Sequence, residues 1–357
     1  MSTSKRLLSL DILRGITVSG MILVNNGYGE SFEMLQHSKW NGMTPCDLVF
    51  PFFLFIMGVS TYLSLSKFNF QMTSEAMRKI ARRTLLLFLI GLGINWLDHA
   101  VWGDVMCFGH LRIWAVLQRI ALCYGIVSVL ALTFPHKRVV HLIVALLAIY
   151  SIILLLGNGY AEDSSNILAQ VDLRLFGEEH LYHKSPVDPE GLLGTISSVA
   201  HVLIGFYCGM RIKKAKSVSD KVTVLFVIGA LLVIGGYLLS YGLPLNKRIW
   251  SPSYVMVTCG LASLLLGLLM YFIDIKNQRG WCTFFHVFGV NPIFLYVSSE
   301  VLAILFGRFG INDALYQGIA AAVAYPKIAS LCYAVAFVLL NYALGYILFR
   351  RKIFIKL

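Results

Sequence analysis

Charged side chains are scarce in this sequence: 13% of its 357 residues are Asp, Glu, Lys or Arg, about half the share of a soluble domain. A chain this poor in charge, 58% hydrophobic and with a mean hydropathy of +0.74, cannot wet its whole surface. That excludes a soluble enzyme and leaves an integral membrane protein. The period-2 alternation of an outer-membrane barrel is also missing. The apolar runs instead reach the ~20 residues that a helix needs to cross a bilayer. The seven cysteines are odd in number and show no C-x-x-C spacing, so no disulfide framework and no metal site is expected; a pairing of Cys46 with Cys107 stays open. No long linker and no internal repeat breaks the chain, and residues 1–357 read as a single domain. The first apolar run, Leu7 to Val24, contains Asp11 and Arg14 and ends without a small-residue cleavage site. It reads as a retained span and not as a removable signal.

What is present is a series of spans, and the fold class is an all-α, polytopic transmembrane bundle. Ten spans are expected at roughly 7–26, 45–66, 82–97, 113–133, 138–157, 191–210, 221–241, 253–273, 284–306 and 328–349. The stretch 311–326, short and broken by Pro326, reads as a surface or re-entrant piece. Of the 30 Lys and Arg, twenty fall on one side of this topology when the N-terminus is placed on that side, and eight on the other. Short basic loops stay cytoplasmic, so both termini are expected in the cytoplasm and the connector with His37 outside. The net charge of +12 then belongs to an inner collar facing anionic lipid, and no nucleic-acid partner is implied.

Ionisable groups in hydrocarbon cost several kcal/mol and tend to be functional. Asp11 and Arg14, three apart in SLDILRG, share a helix face and can neutralise each other. Gln118 and Arg119 lie inside the fourth span, where an Arg should face the bundle interior. Asn291, Pro292 and Glu300 fall in the ninth span, with Pro292 as a helix break. The connector NNGYGESFEMLQHSKWNGMTPCDLVFPFF holds His37, Trp40, Asn41 and Asp47 beside the membrane edge, which makes it the candidate site for chemistry. The long outer loop at about 158–190 is rich enough in apolar and aromatic residues to form an ordered cap. Its His180 and His183 are spaced to share a metal, but two histidines without a third ligand read better as surface residues. Asp188 and Glu190, just before the sixth span, suit either a helix N-terminus or an acceptor contact.

In chain order, SLDILRG, VNNGYG, HSKWNGMTPCDLVFPFFLFIMG, RIWAVLQRI, HLYHKSPVDPEGLLGTI, NKRIWSPSYV and GVNPIFLYVSSEV resemble the transmembrane acyltransferase family of heparan-alpha-glucosaminide N-acetyltransferase. The resemblance runs over nearly the whole chain and implies transfer of acetyl from cytosolic acetyl-CoA to an amino sugar across the membrane. A short, bacterial type of member in an inner membrane is expected, without the large N-terminal luminal domain and following span of the lysosomal animal member. VNN supplies two candidates, Asn25 and Asn26, for the family's active-site asparagine; Asn25 directly follows the matching Val24 and is preferred.

The residues suit that chemistry. An amine must lose a proton to attack a thioester, and a histidine is the natural base near neutral pH; His37 takes that role. Amide donors such as Asn25 can stabilise the oxyanion. Asp11, Arg14, Gln118 and Arg119 are the expected lining for acetyl-CoA. Trp40, Asn41, Asp47, Asp188, Glu190 and Glu300 are the expected acceptor contacts. Direct transfer in a ternary complex is favoured over an acetyl-His37 intermediate, which water at the membrane surface would hydrolyse. The partners are therefore acetyl-CoA, a glucosamine-like sugar or glycan, and membrane lipid, with homodimer formation left open. A small-solute transporter is the alternative function for such a bundle.

Overall fold

A computed structural model describes residues 7–182 and 185–355. It is helical, with no β-strand among the described residues. The helices are α1 (Leu8–Asn25), α2 (Val49–Leu65), α3 (Ser74–Ala100), α4 (Val116–Thr133), α5 (Val139–Leu156), α6 (Ile167–Phe176), α7 (Gly194–Lys214), α8 (Val218–Ser240), α9 (Pro252–Met270), α10 (Cys282–Val290), α11 (Pro292–Arg308), α12 (Ile311–Ala322) and α13 (Pro326–Arg350). Among the described residues, nine helices are long and apolar enough to cross a membrane, or ten if α10 and α11 count as one broken span. The expected ten-span bundle is thus the observed architecture.

Two helices form the centre. The apolar window of α7 is 83% buried and that of α2 67%, whereas α3, α5 and α8 stay below a quarter, at 17%, 22% and 17%. The sequence of α7, GTISSVAHVLIGFYCGM, is dense in small residues, which let backbones approach where no hydrophobic effect drives association. A Cβ on Gly58 would lie 2.1 Å from the Val202 carbonyl oxygen, and one on Gly205 would lie 2.2 Å from that of Phe55. Glycine at these two positions therefore sets the α2–α7 distance. The same device joins α1 to α10: a Cβ on Gly15 would fall 1.8 Å from the Phe285 carbonyl oxygen.

Two spans differ in detail from the sequence reading. The third begins at Ser74, eight residues before the expected start, because its first two turns carry Glu75, Arg78 and Lys79, which a hydropathy reading rejects. Thr73 caps it by accepting from Ala76 N, so the basic turns are regular helix outside the apolar part. The ninth span is broken at Asn291–Pro292 and bends by 85°. Asn291 is buried and joins the C-terminal tail, donating to the Ile353 carbonyl at 2.9 Å and accepting from Ile355 N at 2.8 Å. The stretch 311–326 contains the twelve-residue α12, too short to span and bearing no buried residue.

The connectors at the His37 end knit into a cap. Trp40 Nε1 donates to the Tyr160 carbonyl at 2.8 Å, Gly42 N to that of Leu245 at 2.7 Å, and Ile113 N to that of His180 at 3.1 Å. Asn166, fully buried, caps α6 and donates to the Gly159 and Ala161 carbonyls. Beneath lies a small apolar cluster of Trp40, Tyr150, Leu154, Leu168, Ala169, Val187 and Ile249. The described residues of the loop 158–190 therefore form an ordered cap at this end, and His183 lies outside the described residues.

Candidate active site

Thr44, Pro45 and Asp47 begin the second span as a capping box. Pro45 occupies the first turn, the Thr44 side chain meets the backbone of Asp47, and the Asp47 carboxylate reaches back to Thr44 N at 3.0 Å. Capping alone would explain an acid here. The backward reach, however, delivers the carboxylate to the connector, where Oδ2 also accepts from Ser38 N at 3.1 Å and Oδ1 lies 2.7 Å from His37 Nδ1. Asp47 is fully buried while the His37 side chain is 48% exposed. The result is a fixed carboxylate that holds an accessible imidazole through its Nδ1.

Two further groups close on the same ring. Lys247 Nζ lies 2.9 Å from Nδ1, 3.2 Å from Nε2 and 3.4 Å from Asp47 Oδ1. Cys46 Sγ is 3.1 Å from Nδ1. Lys247 is aimed by its own turn: Asn246, buried, accepts from Ile249 N and donates to the exposed Asn41 Oδ1 at 3.2 Å, while Asn246 N donates to Ser251 Oγ. Tyr254 hydroxyl donates to the Asp47 carbonyl at 2.5 Å and ties the α9 start to the α2 start. Gly42, at φ +108°, takes a conformation suited to glycine where the connector turns back toward this cluster.

The other expected site residues form separate groups. Asn25 Nδ2 donates to Glu300 Oε1 at 3.3 Å, and Tyr296 stands beside the same carboxylate. Asn26 instead bonds back to the Ile22 carbonyl at 2.8 Å. No hydrogen bond joins Asn25 to His37 among the described residues. Asp188 and Glu190 meet on Arg112: Nη2 lies 2.9 Å from each carboxylate, and the guanidinium covers the Tyr182 ring at 4.6 Å. Burial opposes the Arg112 charge, but the two carboxylates more than offset it and hold the guanidinium above its ordinary pKa. Asp188 is shifted upward, by burial first and by Glu190 in addition, against the pull of Arg112. Trp40 is engaged in the cap.

Gln118 and Arg119 lie in the first turn of α4, near the cap. Arg119, 1% exposed, donates to Ser198 Oγ at 2.9 Å and to the Gly191 carbonyl at 2.7 Å, under the Trp250 ring at 5.6 Å. Gln118 is fully buried against Gly91, and neither its oxygen nor its nitrogen finds a partner among the described residues. Asp11 and Arg14 lie toward the opposite end, where Arg14 bonds Asp11 at 3.0 Å, Ser60 Oγ at 2.9 Å and the Gly289 carbonyl at 3.2 Å. The four expected acetyl-CoA residues are thus divided between two ends. Cys46 and Cys107 are both free thiols.

Lys247, Cys46, Arg112 and Tyr296 carry no local sequence signal that marks them as site residues. Lys247 stands 210 residues from its histidine, and periodicity carries no information over that distance. The nearest signal is the NKRIWSPSYV segment that contributes to the family resemblance.

Fold and site together define a polytopic helical membrane protein with a histidine–carboxylate–lysine cluster beside the cap at one end. The family described as "Heparan-alpha-glucosaminide N-acetyltransferase, catalytic" matches residues 6–175, which include His37 and Asp47. The chain is 29% identical to human heparan-alpha-glucosaminide N-acetyltransferase over 99% of its own length, and 28% identical to the mouse protein over 100%. The chain is thus similar to this family's catalytic region over residues 6–175 and to both proteins along its length. It spans 60% of the length of the human protein and 61% of the mouse protein.

Proposed function

We propose that the chain is an acetyltransferase that moves an acetyl group from acetyl-CoA to the amino group of a glucosamine-like sugar, with His37 as general base. The observation that carries this reading is the 2.7 Å His37–Asp47 contact beneath a half-exposed ring, in a chain similar to this family. Asp47 holds the Nδ1 proton, so Nε2 can take a proton from the attacking nitrogen. The tetrahedral carbon then collapses, the C–S bond breaks, and the coenzyme A thiolate leaves with a proton from the imidazolium. Lys247, beside the same ring, offers a fixed positive charge for the developing oxyanion. Asn25 and Glu300 are placed to receive the acceptor, and so are Asp188 and Glu190 on Arg112; Asn41 presents its amide to solvent above the cluster.

The Lys- and Arg-rich end faces the cytoplasm in this reading, which puts His37 on the far side, multi-pass in a bacterial inner membrane. The donor then enters past Asp11 and Arg14 and reaches the level of Gln118 and Arg119. The Gln118 amide and Arg119 Nε are groups there with hydrogen-bonding capacity left. Protein purified in detergent is to be incubated with labelled acetyl-CoA and a panel of amino sugars. Acetyl transfer to a sugar amine is the expected result. Folded protein that releases no coenzyme A with any of them would return the bundle to the transporter class.

A further inference from the structure

The connector between α3 and α4 gathers a second set of reactive side chains. Helix α3 ends at Ala100 and the chain turns at once: Trp102 N and Asp104 N both donate to the His99 carbonyl, at 3.0 and 3.3 Å. Gly103 allows the turn with φ +95°. A second turn, Cys107–Gly109, is closed by His110 N donating to the Cys107 carbonyl at 3.0 Å. Together the two turns bring a ring nitrogen of His99, a carboxylate oxygen of Asp104 and Cys107 Sγ within 4.8 Å of one another. His110 Nε2 sits 2.6 Å from Asp104 Oδ2, the oxygen that is 3.9 Å from His99 Nδ1.

We propose that His99, Asp104 and Cys107 form a binding site for a divalent transition-metal ion of the zinc class, with His110 fixing the carboxylate. Imidazole nitrogen, thiolate sulfur and carboxylate oxygen are the zinc donor set, with bonds of ~2.0–2.3 Å. Three groups already within 4.8 Å need shifts of only about 1 Å to share one ion at those bond lengths. Cys107 is fully buried, yet its thiol makes no hydrogen bond among the described residues. His99 and Asp104 are partly open to solvent, at 37% and 44% of their side chains, and give the ion its path. On binding, the Cys107 thiol loses its proton to solvent and the thiolate takes the metal. Three protein ligands leave the fourth tetrahedral position for water.

The loop is held before any ion arrives. Trp96 Nε1 donates to the Val105 carbonyl at 3.0 Å, Arg308 Nε to that of Val101 at 2.7 Å, and Asn95 Nδ2 to that of Arg112 at 2.7 Å. Arg112 follows His110 by two residues and holds Asp188 and Glu190, so an ion here stiffens the segment that delivers this guanidinium. The expectation of no metal rests on the absence of C-x-x-C pairs and of a third ligand beside paired histidines. The spacing H-x4-D-x2-C-x2-H mixes three ligand types and matches neither pattern.

The test is a cobalt titration of the chelator-stripped full chain in detergent, followed by displacement with zinc. One equivalent of cobalt should bind and give a thiolate-to-cobalt charge-transfer band that zinc abolishes. Cys107→Ser should lose the band, while Cys332→Ser, at an exposed cysteine, should keep it. The exposed His110→Ala, chosen to spare the fold, should weaken binding ~10- to 100-fold, the usual effect of losing a group that orients a ligand. Cobalt binding without a thiolate band, a band that survives Cys107→Ser, or unchanged affinity in His110→Ala would each overturn the assignment.

Discussion

At the residue scale the site rests on charge placement. Asp47 alone would be read as a capping acid and His37 alone as an interfacial histidine; the 2.7 Å contact gives each a chemical partner. Lys247 completes the group from a distant part of the chain, and it is 14% exposed at its side chain, close enough to solvent to meet a ligand. Lys247→Met keeps most of the apolar stem and removes the ammonium. If that charge faces the oxyanion, turnover should fall by ~10²–10³, the usual loss for one oxyanion donor, with the unfolding temperature little changed. Unchanged turnover would assign Lys247 to holding Asp47 and nothing more.

At the element scale, the bundle is set by where backbones touch. The α2–α7 approach through Gly58 and Gly205 leaves no room for a methyl group, so Gly205→Ala should lower stability by ~1–3 kcal/mol, the range for overpacking. Gly93→Ala, on α3 where a Cβ meets nothing within 4 Å, is the matched control and should be neutral or slightly stabilising. Equal thermal unfolding of the two variants in detergent would contradict this account of the packing. Element existence was legible because hydropathy reports each span locally. The basic turns of α3 were not, since a hydropathy reading excludes the charges that let the helix project beyond its apolar part. Pro292 announced a break, but neither the 85° bend nor the engagement of Asn291 with the C-terminal tail is contained in any local pattern. For the site, His37 and Asp47 were legible because one connector carries both. The groupings Asn25–Glu300, Arg112–Asp188–Glu190 and His37–Lys247 each join residues more than seventy positions apart.

At the scale of the whole molecule, the cap and the bundle share buried charge. Asp172 in α6 is 1% exposed, and one of its oxygens accepts from Leu192 N at 3.0 Å. The other has no partner among the described residues. Burial raises its pKa to about 6; Asp188 adds to the rise, while the Leu192 bond and Arg119 oppose it. The folded state therefore binds this proton more tightly than the unfolded chain, whose Asp titrates near ~3.9. Stability from this group is complete below about pH 4 and is lost as pH rises through about 6. Asp172→Asn keeps the acceptor oxygen and cannot ionise. It should gain on the natural chain by about 2 kcal/mol between pH 4 and pH 7, at ~1.36 kcal/mol for each tenfold difference in proton affinity between the folded and unfolded chain. A stability difference independent of pH would remove Asp172 from the account. The central claim is that the His37–Asp47 pair moves the proton of the attacking amine. The most direct measurement is steady-state acetyl transfer from acetyl-CoA to glucosamine by the purified chain, His37→Ala and Asp47→Asn, each shown to be folded by its unfolding transition. Both variants should lose at least ~10²-fold in turnover, the lower bound for a general base. Transfer by folded His37→Ala at the rate of the natural chain would contradict it.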